Sequence, residues 1–219
     1  IGKGKSISHG VAALEYDLAK EINGQAVATE IARHELYGCT GAEMVQEMKP
    51  YHIDFPNVKN NCLRFEVSPS IEESATFTDA DWAELGNDFM QRMGLANHQY
   101  IIIRHSGTES KKEQAHLHIL ANRVSLSGEL YRDNWIGKKA TEAANAIAKE
   151  RNFVQSQDIG KVNKAEIKEA MDGVLKKMQG FDFTKFKEEL GKRGFKVREA
   201  RASTGKLNGY YVTARSGTE

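Results

Sequence analysis

The stretch QAHLHILANRV, residues 114–124, places two histidines in an otherwise apolar run. Its β-forming residues and the polar segment before it predict a strand. Side chains two positions apart on a strand point to the same face of the sheet. We therefore expect His116 and His118 to project side by side from one face, while Leu117 and Ile119 pack on the other.

A second strand, YIIIRH at residues 100–105, ends in a third histidine. The polar segment 106–113 can turn the chain back, so the two strands are predicted to form a hairpin that brings His105 beside His116 and His118. Three neutral imidazoles that converge in this way form a metal site with open positions for water or substrate. The alternative is that these histidines are exposed strand residues that share no ligand.

The rest of the chain predicts a mixed fold around these two strands. A strand is expected to end near residue 8 and another covers 62–68, and Thr78 is a suitable N-cap for a helix to about Met93. Further patterns predict helices at 11–22, 28–36, 42–48, 141–151, 163–178 and 183–193, and a hairpin at 195–201 and 207–214. The expected fold class is α/β (α+β), a central, mainly antiparallel five-stranded sheet flanked by helices, with a basic helical C-terminal region and one domain over residues 1–219.

The charges are unevenly distributed although the net charge of the 219 residues is only +1. Residues 71–91 contain six acidic side chains and no Lys or Arg. Residues 161–206 contain thirteen Lys or Arg against seven Asp or Glu. This basic segment fits a phosphate-binding surface, and it fits a solvated helix face equally well.

The two cysteines, Cys39 and Cys62, form no short pairing motif, which is typical of free thiols in a reducing compartment such as the cytoplasm. No apolar run approaches the length that spans a membrane. The chain lacks an initiator Met and begins within a pattern, so we expect it to be a trimmed, N-terminal fragment of a longer protein.

A three-histidine metal site polarises a phosphoryl or carbonyl oxygen, and the reaction then needs a nucleophile. Metal-bound water is one choice, and a tyrosine hydroxyl that forms a covalent intermediate is another. Tyrosine has a reference pKa of about 10, so it requires the metal or a base nearby. Tyr16 lies off the apolar stripe of the helix predicted at 11–22, so its side chain is expected either to be solvated or to face a cleft.

The pattern HxHxxxNRV, preceded by a strand that ends IxRH, resembles the third motif of the relaxase/mobilization nucleases, which are histidine-hydrophobe-histidine endonucleases. ALEY at 13–16 is similar to the motif of this family that carries the catalytic tyrosine, and VSP at 67–69 is similar to its middle motif. Residues 81–94 resemble the helix before the histidine strand, and 196–212 resemble the C-terminal pattern. The resemblance covers nearly the whole chain, and within the family the chain resembles Bacteroides-type mobilization proteins.

This resemblance implies a metal-dependent enzyme that nicks one DNA strand at an origin of transfer, stays joined to its 5′ end, rejoins it, and so initiates conjugative mobilization. By position, Tyr16 is the nucleophile, and His105, His116 and His118 hold a divalent ion, Mg, Mn or Zn. The implied partners are single-stranded DNA at the origin and relaxosome accessory and coupling proteins, with no membrane.

The chain departs from the family pattern at two positions. Gly107 stands where members usually have an aspartate two residues after the first histidine, and Arg64 stands where the middle motif often has a histidine. Glu66 is a candidate to orient a histidine or to act as general base, and it is equally well explained as a surface residue. Tyr37 and Tyr51 are rival nucleophiles, although their surroundings do not match the tyrosine motif.

The nicking mechanism requires DNA contacts, for which the chain offers cations and aromatic side chains. The cations near the predicted histidine hairpin are Arg104, Lys111, Lys112 and Arg123. Those in the C-terminal region are Lys192, Arg193, Arg198, Arg201 and Lys206, and the candidate stacking residues are Tyr131, Trp135, Tyr210 and Tyr211.

Three other functions remain open from the sequence. One is a replication initiator or transposase of the same superfamily, in which the tyrosine usually follows the histidine pair, whereas Tyr16 precedes it. Another is a non-catalytic, metal-containing DNA-binding module, which the missing aspartate at Gly107 would favour. The third is hydrolysis of a small phosphoester by metal-bound water, for which Tyr16 would be dispensable.

Overall fold

The computed structural model describes residues 1–107 and 114–214 and divides the chain into two compact units, Ile1–Gln155 and the residues from Ser156 onward. The strands are β1 (Gly2–Ile7), β2 (Glu21–Ile22), β3 (Gln25–Ala26), β4 (Ala28–His34), β5 (Cys62–Val67), β6 (His98–His105), β7 (His116–Ser125), β8 (Phe195–Arg201) and β9 (Leu207–Ala214). The helices are α1 (Gly10–Leu18), α2 (Gly41–Met48), α3 (Ile71–Ser74), α4 (Asp79–Arg92), α5 (Ile136–Glu150), α6 (Ser156–Leu175) and α7 (Phe183–Lys192), with a short 3-10 helix at Lys49–His52.

The first unit is built on a five-stranded sheet with the order β1-β5-β7-β6-β4. Every neighbouring pair in this sheet is antiparallel. The predicted mixed fold with a central antiparallel sheet is therefore confirmed. The histidine strand β7 is its middle strand, which explains why its apolar residues are buried on both faces.

Alternation along the strands sends side chains to two separate apolar layers. Leu117 and Ile119 pack with residues of α4 and α5, such as Phe89 and Ala140. Leu120, on the opposite face, belongs to the layer that includes residues of α1 and α2. His116 and His118 share that second face with Leu120, so the histidines lie on the side of the sheet covered by α1.

The edge strand β1 needs glycine because α5 crosses it closely. A Cβ at Gly2 would lie 2.4 Å from the Ala140 carbonyl oxygen, and one at Gly4 would lie 2.8 Å from the Phe65 ring. The absence of a side chain at Gly2 lets the helix backbone approach the strand, and at Gly4 it leaves room for the Phe65 ring of β5 and the Cβ of Ala140. β1 in turn pairs with β5, and β5 is the neighbour of the histidine strand β7.

Four secondary-structure predictions differ from the structure. The helix predicted at 28–36 is wrong, because Ala28–His34 forms the edge strand β4 and pairs with β6. The first helix ends at Leu18 rather than residue 22. The helices predicted from 141 and 163 begin earlier, at Ile136 and Ser156.

The second unit contains α6, α7 and the β8–β9 hairpin, and the predicted hairpin is confirmed. It has its own small core of Val174, Phe186, Leu190 and Val197, all of which are buried. The organisation of residues 1–219 as one nicking domain, and as part of a longer protein, stays a prediction. No helix within 1–107 or 114–214 combines the length and the apolar character needed to cross a membrane.

Candidate metal centre and nucleophile

The β6–β7 hairpin brings the three predicted histidines together. Its register places His105 opposite His116, and His118 lies two residues further along β7 on the same face. Their candidate ligand nitrogens all lie within 4.8 Å of one another, and the Nε2 atoms of His116 and His118 are 3.1 Å apart. All three side chains are buried, which differs from the alternative of exposed strand residues.

The chemistry of this cluster fits a divalent metal ion. Metal ligation requires neutral imidazoles with a free lone pair. Burial lowers the pKa of His105, and burial together with the charges of His105 and Arg64 lowers the pKa of His118 to about 2. Both rings are therefore neutral near physiological pH, and three nitrogens converge as in a three-histidine site with open positions.

Asp17 is the important residue that the sequence reasoning missed. Its side chain is 1% exposed and accepts two hydrogen bonds from Arg64, at 2.9 Å from Nε and 2.5 Å from Nη2. Its backbone carbonyl accepts from His105 Nε2 at 2.7 Å, and its Oδ1 lies 3.9 Å from His118 Nδ1. The only signal was its position directly after Tyr16.

Arg64 also contacts the histidine cluster: its Nη2 lies at 3.1 Å from Nδ1 of His118. A guanidinium can only donate, so this contact uses the lone pair of Nδ1 and leaves the hydrogen of the neutral ring on Nε2. Ligation through Nε2 requires the opposite arrangement, with the hydrogen on Nδ1. The carboxylate of Asp17 is the neighbouring group that can accept that hydrogen.

Tyr16 lies on α1, next in sequence to Asp17, and its side chain is 57% exposed. The Lys20 ammonium donates to the Tyr16 hydroxyl at 2.7 Å and lies 4.9 Å from the centre of its ring. An exposed phenol held by a cation is accessible to a macromolecular substrate and is stabilised when negative charge develops on its oxygen.

The rival tyrosines have different surroundings. Tyr37 is 76% exposed and donates to the Glu35 carboxylate at 3.1 Å, and this hydrogen bond raises the pKa of Tyr37. A raised pKa lowers the fraction of Tyr37 that is present as the reactive phenolate, which makes this residue a poorer nucleophile. Tyr51 is half-buried in the short 3-10 helix.

Glu66 lies opposite His118 in the β5–β7 pairing, on the same face of the sheet. Its carboxylate forms an ion pair with Lys3 at 3.0 Å, whereas Asp17 is the carboxylate that contacts the histidine network. Lys3, Lys5, Arg64 and Glu66 line a cavity of about 200 Å³. The catalytic role of Glu66 stays a prediction.

The cations predicted to contact DNA in the first unit have protein partners. Arg104 faces the other side of the sheet from His105 and contacts Asp79. Arg123 binds Asp133 at 2.6 Å and also donates to two backbone carbonyls. Lys111 and Lys112 lie outside the described residues. Roles for all four in DNA binding stay predictions.

The C-terminal candidates are distributed over the second unit. Arg198 stacks over the Tyr211 ring at 4.6 Å, and Arg201 forms an ion pair with Glu199 at 2.6 Å. Other partners there include Glu189 for Lys192, the Ala170 carbonyl for Arg193 and the Phe183 ring for Tyr210. In the first unit, Trp135 is 81% exposed and Tyr131 is half-buried.

Three comparisons with known proteins show what this chain is similar to. Residues 16–153 match the family model for the MobA/VirD2-like relaxase nuclease domain. Two solved structures of the conjugative relaxase TrwC in complex with oriT DNA, one metal-free and one metal-bound, are 10% and 11% identical, with TM-scores of 0.42 and 0.41. Each alignment covers 94% of this chain and 74% of TrwC. A search of curated proteins found no match.

The family match includes the candidate nucleophile Tyr16, the carboxylate of Asp17 and the complete histidine cluster. It covers well over half of the chain. The narrower resemblance to Bacteroides-type proteins stays a prediction. The chain belongs to the relaxase/mobilization nuclease family and carries its MobA/VirD2-like nuclease domain.

Proposed function

We propose that this protein nicks one strand of DNA at an origin of transfer, remains joined to the 5′ end through Tyr16, and rejoins the strand, a reaction that initiates conjugative mobilization. The observation that carries this proposal is the buried cluster of His105, His116 and His118 against α1, whose Asp17 contacts the cluster and directly follows Tyr16. The proposal is supported because the candidate nucleophile is next in sequence to a residue that contacts the candidate metal site.

The three histidines would hold the divalent ion, which is Mg, Mn or Zn. When bound, the ion supplies charge withdrawal from the scissile phosphate, as in other metal-assisted phosphoryl transfers. With a metal ion bound, the Asp17 carboxylate, 3.9 Å from Nδ1 of His118, would accept the hydrogen of that atom in place of the Arg64 contact, and the Nε2 lone pair would face the other two histidines. The backbone carbonyl of Asp17 fixes His105 in the same way through Nε2.

The covalent step is a transesterification. The Tyr16 oxygen attacks the phosphorus atom, a tyrosine O–P bond forms, and the bond from phosphorus to the 3′-oxygen breaks. The phenolic proton leaves to a base or to solvent, and the departing 3′-oxygen gains a proton. Lys20 stabilises the negative charge on the phenolic oxygen, and Glu66 is the proposed proton acceptor. Rejoining is the reverse reaction.

The DNA strand would reach the site along the edge strand β1. Lys3 and Lys5 lie on this strand opposite Glu66 and Arg64, and they face the same side of the sheet as His118. Exposed lysines at alternate positions can contact successive phosphates of a single strand. Relaxosome accessory and coupling proteins complete the proposed set of partners, and the reaction belongs to the cytoplasm.

The test is covalent capture of DNA. The protein is incubated with Mn²⁺ or Mg²⁺ and with labelled single-stranded oligonucleotides that tile the DNA around its own gene, and the products are separated on denaturing gels. We expect a protein–DNA adduct for the natural chain and for Tyr37→Phe, and none for Tyr16→Phe. The control removes an exposed tyrosine hydroxyl that lies outside the tyrosine motif.

Each other outcome contradicts part of the proposal. An adduct that persists in Tyr16→Phe would move the nucleophile to another residue. Cleavage without any adduct would indicate metal-bound water, as in simple phosphoester hydrolysis. Binding of oligonucleotides and metal without cleavage over the complete tiling set would favour a non-catalytic DNA-binding module.

A further inference from the structure

The second unit lies outside the family match, which ends at residue 153, and it has its own core. Its described residues, 156–214, carry thirteen Lys or Arg against eight Asp or Glu. Most of these charges are exposed, and several cations have acidic partners, such as Lys192 with Glu189. The cations without an acidic partner are therefore the ones that could bind an anionic ligand.

Three unpaired cations surround one groove beside β8. The groove has a volume of about 380 Å³ and is lined by Lys187 and Gly191 of α7 and by Phe195, Lys196, Val197, Arg198 and Thr213 of the hairpin. Lys187, Lys196 and Arg198 are exposed, and within residues 156–214 none of them forms an ion pair. None of the described residues that line the groove is acidic, so this part of the chain suits an anionic ligand.

The outer face of the hairpin adds an aromatic surface to this groove. Because paired residues share a face, Lys196 with Thr213 and Arg198 with Tyr211 lie on the side opposite Val197, which packs into the core. Tyr211 is 53% exposed, and the Arg198 guanidinium lies over its ring at 4.6 Å. A planar cation stacked on an exposed ring offers a flat surface for a nucleobase.

We propose that this groove and the adjoining hairpin face, formed by Lys187, Lys196, Arg198 and Tyr211, bind single-stranded DNA independently of the metal centre. The lysines would contact backbone phosphates, and a base would stack beside Tyr211 and Arg198. The choice of DNA as the nucleic acid rests on the proposed nicking function. The choice of a single strand rests on the exposed aromatic ring, which a base can reach only when it is unpaired.

The test is photo-cross-linking to a thymidine oligonucleotide of about 16 nucleotides that contains 5-iododeoxyuridine, a length within the range that one single-strand-binding fold covers. It uses the full chain with Tyr16→Phe and EDTA, so neither metal nor covalent nicking contributes. The cross-linked peptide is identified by mass spectrometry. We expect the cross-link at Tyr211, and not at Phe181, an aromatic residue of the same unit that is 58% exposed.

Variants then separate this surface from general electrostatic attraction. Tyr211→Ala should abolish the cross-link at this site, and Arg198→Gln should weaken it about tenfold or more, whereas Lys168→Gln removes one exposed charge of α6 and should leave it unchanged. All these positions are exposed, and equal melting temperatures would establish that the variants fold. The proposal would be overturned if cross-links formed only at other residues or if all three variants had equal effects. It would also be overturned if unlabelled duplex DNA competed for the cross-link better than unlabelled single-stranded DNA. None of these results depends on whether the chain nicks DNA.

Discussion

Asp17 and Arg64 compete to set which nitrogen of His118 carries its hydrogen. Arg64 donates to Nδ1 at 3.1 Å, and the Asp17 carboxylate lies 3.9 Å from the same atom. Only the state in which Asp17 accepts the hydrogen leaves Nε2 free for a metal ion. We propose that Asp17 takes the orienting part for which the family resemblance leads one to expect an aspartate at the position of Gly107.

We predict that Asp17→Asn lowers the affinity for Mn²⁺ or Zn²⁺ by about 10- to 100-fold, the usual effect of losing a group that orients a metal-bound histidine. Isothermal titration calorimetry of the purified protein measures this directly, without any DNA. Glu66→Gln is the matched control, because it removes a carboxylate on the same face that pairs with Lys3 instead of the histidine network. Equal losses in the two variants would contradict the assignment.

Arg64, the hydrogen-bond partner of Asp17, provides a control in which the metal affinity should change in the opposite direction. Arg64→Met removes the competing donor and a positive charge beside the site, so the same titration should show tighter metal binding. A loss of affinity in this variant would mean that the Asp17–Arg64 pair acts only as a structural support. Melting temperatures for both variants distinguish that support from the effect on the metal.

The histidine cluster could be predicted because two local rules define it. Residues two apart on a strand share a face, and one hairpin brings the third histidine alongside. Asp17 and Arg64 could not be paired in the same way, since they lie 47 positions apart on a helix and a strand. Their contact depends on where α1 packs on the sheet, and no periodicity in the sequence gives that position.

At the scale of elements, β1 and α5 fit only because β1 carries small residues. We predict that Gly2→Ala lowers the free energy of unfolding by about 1–3 kcal/mol, because its Cβ would lie 2.4 Å from the Ala140 carbonyl oxygen, a backbone atom that cannot move aside alone. Urea denaturation measures the change.

Gly137→Ala, on the facing helix, is the control for that packing argument. Its Cβ would meet only the Gly4 carbonyl oxygen at 3.5 Å, an ordinary contact. Alanine also favours the helix over glycine by up to about 1 kcal/mol, so this variant should be neutral or more stable. A Gly2→Ala protein as stable as the natural one would show that β1 and α5 are free to separate.

Strand β4 shows where sequence patterns fail at this scale. Ala28–His34 contains helix-favouring Ala, Glu and Arg with spaced apolar residues, which predicts a helix. Its pairing with β6, interrupted by a bulge between Glu30 and Ala32, outweighs that preference. β6 lies far along the chain, so nothing near residue 28 signals the pairing, whereas α4 was found because the Thr78 capping box is local.

At the scale of the whole molecule, the family match and the division of the chain coincide. The family model ends at residue 153, and the first compact unit ends at Gln155. The histidine cluster, Asp17 and Tyr16 all lie within this unit. The proposed nicking site and the proposed groove therefore lie in different compact units, and variants in one should leave the other measurable.

The stability of the folded chain should decrease in mild acid because buried histidines resist protonation. His98 is 5% exposed and lies away from the metal centre, with its Nδ1 2.9 Å from the Asn122 carbonyl oxygen, and burial lowers its pKa below the ordinary value of 6.5. As the pH falls below that value, the unfolded chain takes up protons that the folded chain does not. This stability is therefore fully present above pH ~6.5 and is lost as the pH falls, by at most about 1.4 kcal/mol per pH unit for each such histidine.

Urea denaturation in EDTA between pH ~7 and ~5 tests this expectation at pH values above the range where ordinary carboxyl groups titrate. His98→Asn keeps a donor for the Asn122 carbonyl and removes the titrating group, so its stability should fall less steeply with decreasing pH, even if the smaller side chain makes it less stable throughout. His9→Asn, at an exposed position, should retain the natural slope. If the slopes of both variants equal that of the natural chain, then His98 takes up its proton as readily in the folded state as in the unfolded one. The acid sensitivity would then come from other histidines whose pKa burial lowers, which are His52 and those of the metal centre.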